Sequence, residues 1–449
     1  MKLTSSPGTT ARRLASITLI VLVLVAAAIP TFVRNATTQK DTQDFAPIYH
    51  AAQAMWTGQN IYAATNGLYI YPPFLAFIFQ PLILFPEHTA AIVWVIASAF
   101  LIALAALMSA REMSRRWTIP EGTEDPSRWW MIAAMAILLS LEKIHADFRL
   151  GQTDCLMILG FACVLRWMDR KPWLAGLAVG ATANMKYLSL ICLPYFLLKR
   201  NFRAAAASIL SFTLLMVVPA LEVGVREATQ FAASAFGALV KMADLAPRLA
   251  GHGMKIPRAS WERSVSITSA ILRFSRSHQY PDWLAFVSVL LAFLIVAAAI
   301  ILVSRHHGLR LFTPTAQLAS PVREAAASLE WATLIVLALV FSPQTTARHM
   351  VLLLLVYIAA LAVFFAQKQR GGRIVLAFAM IVTSLGLSFP PRKMGIDEAL
   401  WVWRGIAGAS LCAIFLLLVI LFYGGRTLCS WVRNTSPEQL SEGLGRPHI

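Results

Sequence analysis

Long apolar runs separated by short polar connections dominate the chain, with runs at 14–33, 90–110, 204–221, 283–303, 350–365, 374–389 and 399–423. Each approaches or exceeds the roughly 20 residues that a helix needs to cross hydrocarbon. Shorter runs at 129–144, 155–167 and 329–341 lie between them, and two more segments, at 74–85 and 173–198, leave open whether they fully cross. The pattern predicts an all-α polytopic membrane protein of about 11–12 hydrophobic segments, without internal repeat or heptad run.

Basic residues set the orientation. Clusters at Arg111/Arg115/Arg116, Arg166/Arg170/Lys171, Lys199/Arg200/Arg203, Arg305/Arg310 and Lys368/Arg370/Arg373 fall between apolar runs, the positive-inside signature. Placing them inside gives a cytoplasmic N-terminus at 1–13, a single membrane domain at 14–423 and a cytoplasmic polar tail at 424–449. The loop 34–73 and the long segment 222–281, expected to carry short amphipathic helices, then lie outside. Segment 74–85 is too short to cross and reads as re-entrant or interfacial, because a crossing there would carry Arg111, Arg115 and Arg116 outside. The run 129–144 goes out and exposes His145, Asp147, Arg149 and Gln152, and 155–167 returns. The stretches 173–184 and 187–198 read as a hairpin with Lys186 near its outer tip.

Composition agrees. The 449 residues are 58% hydrophobic and 14% charged, against about a quarter charged in a soluble domain. The net charge of +17 is accounted for by topology; no basic, aromatic-interleaved soluble domain is present to hold nucleic acid. Five cysteines, none in a CxxC pair, read as small buried hydrophobes. Arg12-Arg13 followed by an apolar run resembles a signal peptide, read here as an uncleaved anchor in a bacterial-type plasma membrane. No zinc motif, phosphate-cradling glycine loop or nucleophile elbow occurs, so neither metal nor cofactor is expected.

Candidate chemistry collects on the outer side. Asp44 sits in an acidic, aromatic loop with Asp41, Tyr49, Trp56, Tyr69 and Tyr71. A carboxylate held there can act as a general base on a hydroxyl. The competing reading is an N-cap for a helix starting at Phe45, and the two roles are compatible. Asp41 reads as a solvated neighbour or an acceptor-orienting group. Tyr49, Trp56, Tyr69 and Tyr71 fit either sugar stacking or an interfacial aromatic belt. Gln152 offers a donor and an acceptor for a sugar hydroxyl, or satisfies a loop backbone, and Asp147 is a candidate sugar or acceptor contact. Lys186 lies between two half-length apolar stretches, where an ammonium is expensive and signals function, with snorkelling as the bland alternative. Arg348 and His349 open a further span and suit a phosphate, or anchor it at the interface.

In order along the chain, Asp44-Phe45 with Tyr49, Gly58 to Tyr62, Tyr71-Pro72-Pro73, Gly151-Gln152, Gly176 to Lys186 with Pro194, and Ser342-Pro343 with His349 resemble glycosyltransferase family 87. This is the polyprenol-phosphate-mannose-dependent α-1,2-mannosyltransferase type with the C-type membrane fold. The resemblance implies a catalytic aspartate at Asp44 and a polyprenyl-phosphate-linked sugar donor. It also implies an inverting transfer to a hydroxyl on a lipid or glycan acceptor, with Lys186, Arg348 and His349 stabilising the leaving phosphate and Asp41, Tyr71, Asp147 and Gln152 near sugar or acceptor. Two departures stand out: the family's Ser-Trp and paired His-His become Thr345-Thr346 and Arg348-His349, and the proline usual after the lysine is replaced by Leu188-Ser189. The rival classes are a transporter or lipid flippase and a non-catalytic protein that binds polyprenyl lipid. Midplane sites between repeated halves would mark the transporter, and neither is visible in the sequence.

Overall fold

The computed structural model describes residues 7–37, 43–118, 127–242, 255, 257–312, 320–389 and 397–434. In chain order the helices are α1 (Pro7–Thr37), α2 (Phe45–Trp56), α3 (Ile61–Ala64), α4 (Pro73–Phe79), α5 (Glu87–Arg116), α6 (Arg128–Leu139) and α7 (Leu141–Leu150). Then follow α8 (Asp154–Trp167), α9 (Pro172–Ala183), α10 (Cys192–Leu198), α11 (Phe202–Val217), α12 (Ala220–Val223), α13 (Val225–Met242) and α14 (Ile267–Ser277). The last six are α15 (Asp282–His306), α16 (Ser320–Phe341), α17 (Leu353–Ala366), α18 (Arg370–Ser388), α19 (Asp397–Gly405) and α20 (Gly408–Asn434). Among the described residues strand-like pairing is limited to one isolated bridge, Ser264 with Thr346.

Eight of these helices are long and apolar enough to cross a membrane, and four shorter apolar helical stretches accompany them. The protein is an all-α, multi-pass membrane protein. Helix α15 makes the solvent plain: its mean hydropathy is 3.2, yet only 6% of its apolar window is buried inside the protein. A helix apolar all round with so little of its surface against protein is stable only in lipid. At the other extreme 83% of the Val322–Phe341 window and 78% of the His349–Ala366 window, which contains α17, are buried. Leu353 through Val363 are enclosed on every side, so α17 is the axis of the core.

Three expected elements differ. The run 129–144 is not one span: α6 ends at Ser140 and α7 begins a separate helix. Glu142, Lys143, His145 and Asp147 spoil the apolar pattern there, so His145, Asp147 and Arg149 stand on a helix rather than in a loop. The run 399–423 is divided at Ala407, which takes a left-handed φ of 54° between α19 and α20. Helix α20 then continues past residue 424 to Asn434, and the polar residues beyond lie outside the described residues. Within 34–73, α1 runs on to Thr37, and α2 and α3 fold much of the remainder. The five cysteines are free; Cys155 and Cys192 are buried as expected, whereas Cys163, Cys412 and Cys429 are only partly so.

Helix α9 is held by glycine on two sides. A Cβ on Gly176 would lie 2.3 Å from the Ala204 carbonyl oxygen, and one on Gly180 would lie 2.5 Å from the Phe212 nitrogen. From α8, a Cβ on Gly160 would lie 2.1 Å from Thr182 Cγ2. Small residues one turn apart let backbones approach where lipid offers no hydrophobic drive. Asn184 then donates to the Gly180 and Phe212 carbonyls, both at 2.9 Å, and fixes the end of α9. Gly180→Val is expected to destabilise the protein by about 2 kcal/mol through overpacking. Thermal unfolding in detergent measures it, and an unchanged midpoint would contradict the close α9–α11 contact.

Candidate active site

Four chain segments bring polar groups together. The first is the start of α2. Asp44 occupies its N-cap position, but the carboxylate makes no capping hydrogen bond. It faces inward instead, accepting from Arg348 Nη1 and from Gln152 Nε2, the latter at 2.5 Å. The two sequence readings of Asp44 therefore separate: the backbone takes the cap position and the side chain belongs to the cluster.

The second segment is the turn between α7 and α8. Gly151 ends α7 with φ 64°, a left-handed value that favours glycine. Space demands glycine as well, because a Cβ there would lie 2.6 Å from Phe45 Cβ. This close approach seats α2 on the turn and carries Asp44 to Gln152. Gln152 is 1% exposed, and its carbonyl accepts from Trp94 Nε1 of α5 at 3.0 Å. Its side-chain amide thus points one way only, with Nε2 to Asp44 and Oε1 to Lys186 at 3.1 Å.

The third segment is the break after α9. Lys186 has extended backbone (φ −146°, ψ 130°), which turns its side chain out of the helical path. It does not snorkel to water. The residue is 9% exposed, and Nζ donates to Asp154 Oδ1 at 2.5 Å as well as to Gln152. Asp154, the first residue of α8, is fully buried. Burial raises the Asp154 carboxyl, and the Lys186 ammonium beside it overcomes that and holds it below the ordinary carboxylate range. Burial likewise pulls the Lys186 ammonium down, and Asp154 more than restores it.

The fourth segment is the loop from Ser342 to His349. It is laced to the long segment before α14: Ser264 Oγ and Val265 N donate to the Thr345 carbonyl, and Ser269 Oγ donates to that of Pro343. Thr268 Oγ1 donates to Phe341 and Gln344 Nε2 to Pro257. So anchored, Arg348 reaches Asp44, which keeps the guanidinium above its ordinary value against the pull of burial. His349 Nδ1 accepts from the Thr346 backbone N–H at 3.0 Å, so the imidazole is neutral and carries its proton on Nε2.

Tyr71 is within electrostatic reach of Lys186, Arg348, Asp44 and Asp154. Its carbonyl accepts from Tyr62 at 3.1 Å, while Tyr69 donates to the Pro72 carbonyl at 2.7 Å. Pro72 is extended and Pro73 opens α4, as the double proline implies. Tyr69 and Tyr49 are core residues rather than exposed stacking platforms, whereas Trp56 is largely exposed. Asp147 lies buried on α7 beside Asp154. Asp41 lies outside the described residues. Asp154 was not singled out from sequence. Its signal was a carboxylate at the very start of an apolar run, the same rule that marks Lys186.

A second ionic network lies at the far end of α5, about 27 Å of helix rise from Trp94 to Glu112. Glu112 pairs with Arg115, Arg116 and Arg166, Arg116 with Asp169, and Glu330 with Lys199 and Tyr195. Charges read as mostly topological, Arg116 among them, therefore also tie helices together. Among the described residues no cluster of His, Cys, Asp and Glu has metal-site geometry.

The site gathers two cations, Lys186 and Arg348, near the neutral imidazole of His349, and it presents one carboxylate, Asp44, whose side chain stays 39% exposed. Comparison with known proteins finds relatives of part of the chain. A polyprenol-phosphate-mannose-dependent α-(1-2)-phosphatidylinositol pentamannoside mannosyltransferase of Mycobacterium tuberculosis is 31% identical over 159 residues, covering 35% of this chain and 34% of that protein. The protein of the same description from Mycolicibacterium smegmatis is 30% identical over 166 residues, covering 36% and 37%. A phosphatidylinositol mannoside mannosyltransferase of that organism is 30% identical over 167 residues, covering 34% and 37%. The chain thus spans about a third of the length of the curated relatives it matches. No solved structure matches. The sequence pattern defining glycosyltransferase family 87 matches residues 69–321, which takes in Tyr71, Gln152, Asp154 and Lys186 and stops short of Asp44, Arg348 and His349. That match covers more than half of the chain, and the protein belongs to glycosyltransferase family 87.

Proposed function

We propose that this chain is an integral-membrane inverting glycosyltransferase that moves mannose from a polyprenyl-phosphate carrier to a hydroxyl of a lipid or glycan acceptor. The observation that carries the reading is the convergence of one half-exposed carboxylate, Asp44, with two cations and a neutral imidazole N–H in a single buried cluster. The relatives' names specify polyprenol-phosphate-mannose as donor and phosphatidylinositol mannosides as acceptors, and the same donor class suits a cluster that holds an anion. We place the site on the extracytoplasmic face of a bacterial-type plasma membrane, supported by the basic clusters at the opposite ends of the spans.

In this reading the acceptor oxygen attacks the anomeric carbon from the face opposite the phosphate. The bond from that carbon to the phosphate oxygen breaks and leaves its electron pair on the phosphate, while the acceptor proton passes to Asp44. A phosphate leaves as a stable anion and needs cationic stabilisation rather than an acid, which Lys186, Arg348 and the His349 Nε2–H supply. Arg348 links the two halves of the reaction. As its guanidinium turns toward the donor phosphate, Asp44 loses a compensating charge and becomes the stronger base. Gln152 keeps Asp44 oriented meanwhile. Tyr71, Gln152 and Asp41 are proposed on the sugar and acceptor side.

Asp44→Asn is expected to lower transfer by about 10²- to 10⁴-fold, the range of a lost general base. The assay is radiolabel transfer from polyprenyl-phosphate-mannose to lipid in vesicles holding the purified protein. Full transfer by a well-inserted variant would remove Asp44 from the mechanism. Arg348→Gln is expected to lower kcat/KM for the donor by roughly 10- to 10³-fold through the lost contact to developing charge. An unaltered donor dependence would exclude Arg348 from phosphate binding.

A further inference from the structure

The proposed chemistry leaves one buried acid unused. Asp147 is 1% exposed, and neither of its carboxyl oxygens has a hydrogen-bond partner among the described residues. Asp154 is fully buried, with Oδ1 on Lys186 and Oδ2 likewise unpartnered. The two carboxyl groups lie within hydrogen-bonding reach of each other. Three carboxyl oxygens of this neighbouring pair are thus buried without a donor, and buried polar groups left unpaired are costly. Two carboxylates can only repel there, whereas one shared proton supplies the missing donor.

We propose that Asp147 is a neutral carboxylic acid that donates its proton to Asp154 Oδ2, and so positions the carboxylate that holds Lys186. The surrounding charges agree. The groups facing the pair are Lys186 from the break after α9, Arg348 and His349 from the loop before α17, Tyr71 from before α4 and Cys155 of α8, while Asp44 from the start of α2 is tied to them through Arg348 and Gln152. His349 is neutral by its hydrogen bond from Thr346. Lys186 and Arg348 balance Asp44 and Asp154, so an ionised Asp147 would be a third, uncompensated carboxylate. Burial pushes the Asp147 carboxyl well above the usual carboxylate range, and the neighbouring Asp154 charge adds to it.

The consequence is positional. With Oδ2 occupied by the Asp147 proton, Asp154 turns Oδ1 to Lys186, and the ammonium is held against Gln152 instead of swinging freely. The same proton draws charge from Asp154, so its grip on Lys186 is weakened enough for a donor phosphate to compete. Asp147 acts through Asp154 and is a positioning residue. This functional part rests on the transfer reading, whereas the protonation state does not.

Two measurements test the proposal. Infrared spectra of the full-length protein in lipid nanodiscs at neutral pH, wild type minus Asp147→Asn, should show the carbonyl band of a protonated carboxylic acid, shifted by ¹³C-aspartate labelling. Absence of that band overturns the proposal whatever the activity. Donor kinetics with polyprenyl-phosphate-mannose then separate positioning from packing. Asp147→Leu removes the donor to Oδ2 and should raise KM for the donor by ~10-fold or more, while Asp147→Asn, which still donates, should recover most of that loss. Equal damage in both variants overturns the positioning role, and if the leucine variant does not fold, the infrared band of the wild type decides. A wild type that carries the band yet transfers no mannose would refute the transfer reading and leave the protonation assignment standing.

Discussion

An ammonium buried in a membrane protein must be matched by a carboxylate, and much of the site follows from that one constraint. Lys186 is held by Asp154, which carries it to Gln152; Gln152 carries Asp44, and Asp44 carries Arg348. In a low-dielectric interior each link is stronger than in water, and a missing link is correspondingly expensive. The cluster behaves as one unit: its cations are present without an uncompensated charge, and its polar groups are already oriented.

Such a unit needs a rigid frame, and the frame is built by small residues. Gly151 lets α2 close onto the α7–α8 turn, while Gly176 and Gly180 let α9 lie against α11. These contacts set the distance between Asp44 and Lys186 more directly than any bond between the two. The loop carrying Arg348 and His349 has no such support of its own. It is pinned by serine and threonine hydroxyls around α14, which gives the long segment before that helix a structural task beside the site. The ionic network around Glu112 and Glu330 ties the other ends of the spans, far from the chemistry.

Family membership and the polar cluster draw on different parts of the chain. The family pattern covers the Gln152–Asp154–Lys186 side of the cluster, whereas Asp44, Arg348 and His349 join it only in space. Arginine stands where the family resemblance leads one to expect histidine, and it reaches the carboxylate that a histidine would meet less directly. The charged Nη1 of Arg348 on Asp44 is a stronger restraint than a neutral ring would supply.

The sequence by itself determined the membrane class, the number and rough place of the apolar helices, and the candidates Asp44, Lys186, Arg348 and His349. Apolar runs and expensive charges are local signals, readable a few residues at a time. The break at Ala407 escaped it, because a helix interruption inside an apolar stretch changes hydrophobicity little, whereas the one at Ser140 was signalled by Glu142 and Lys143 just after it. Only the tertiary structure decided which way Asp44 faces, since the cap and the base reading share one backbone position. It also decided that Lys186 meets Asp154 rather than water, and that Arg348 meets an aspartate 304 residues away. Pairings across such distances depend on how helices pack, and no spacing along the chain encodes them.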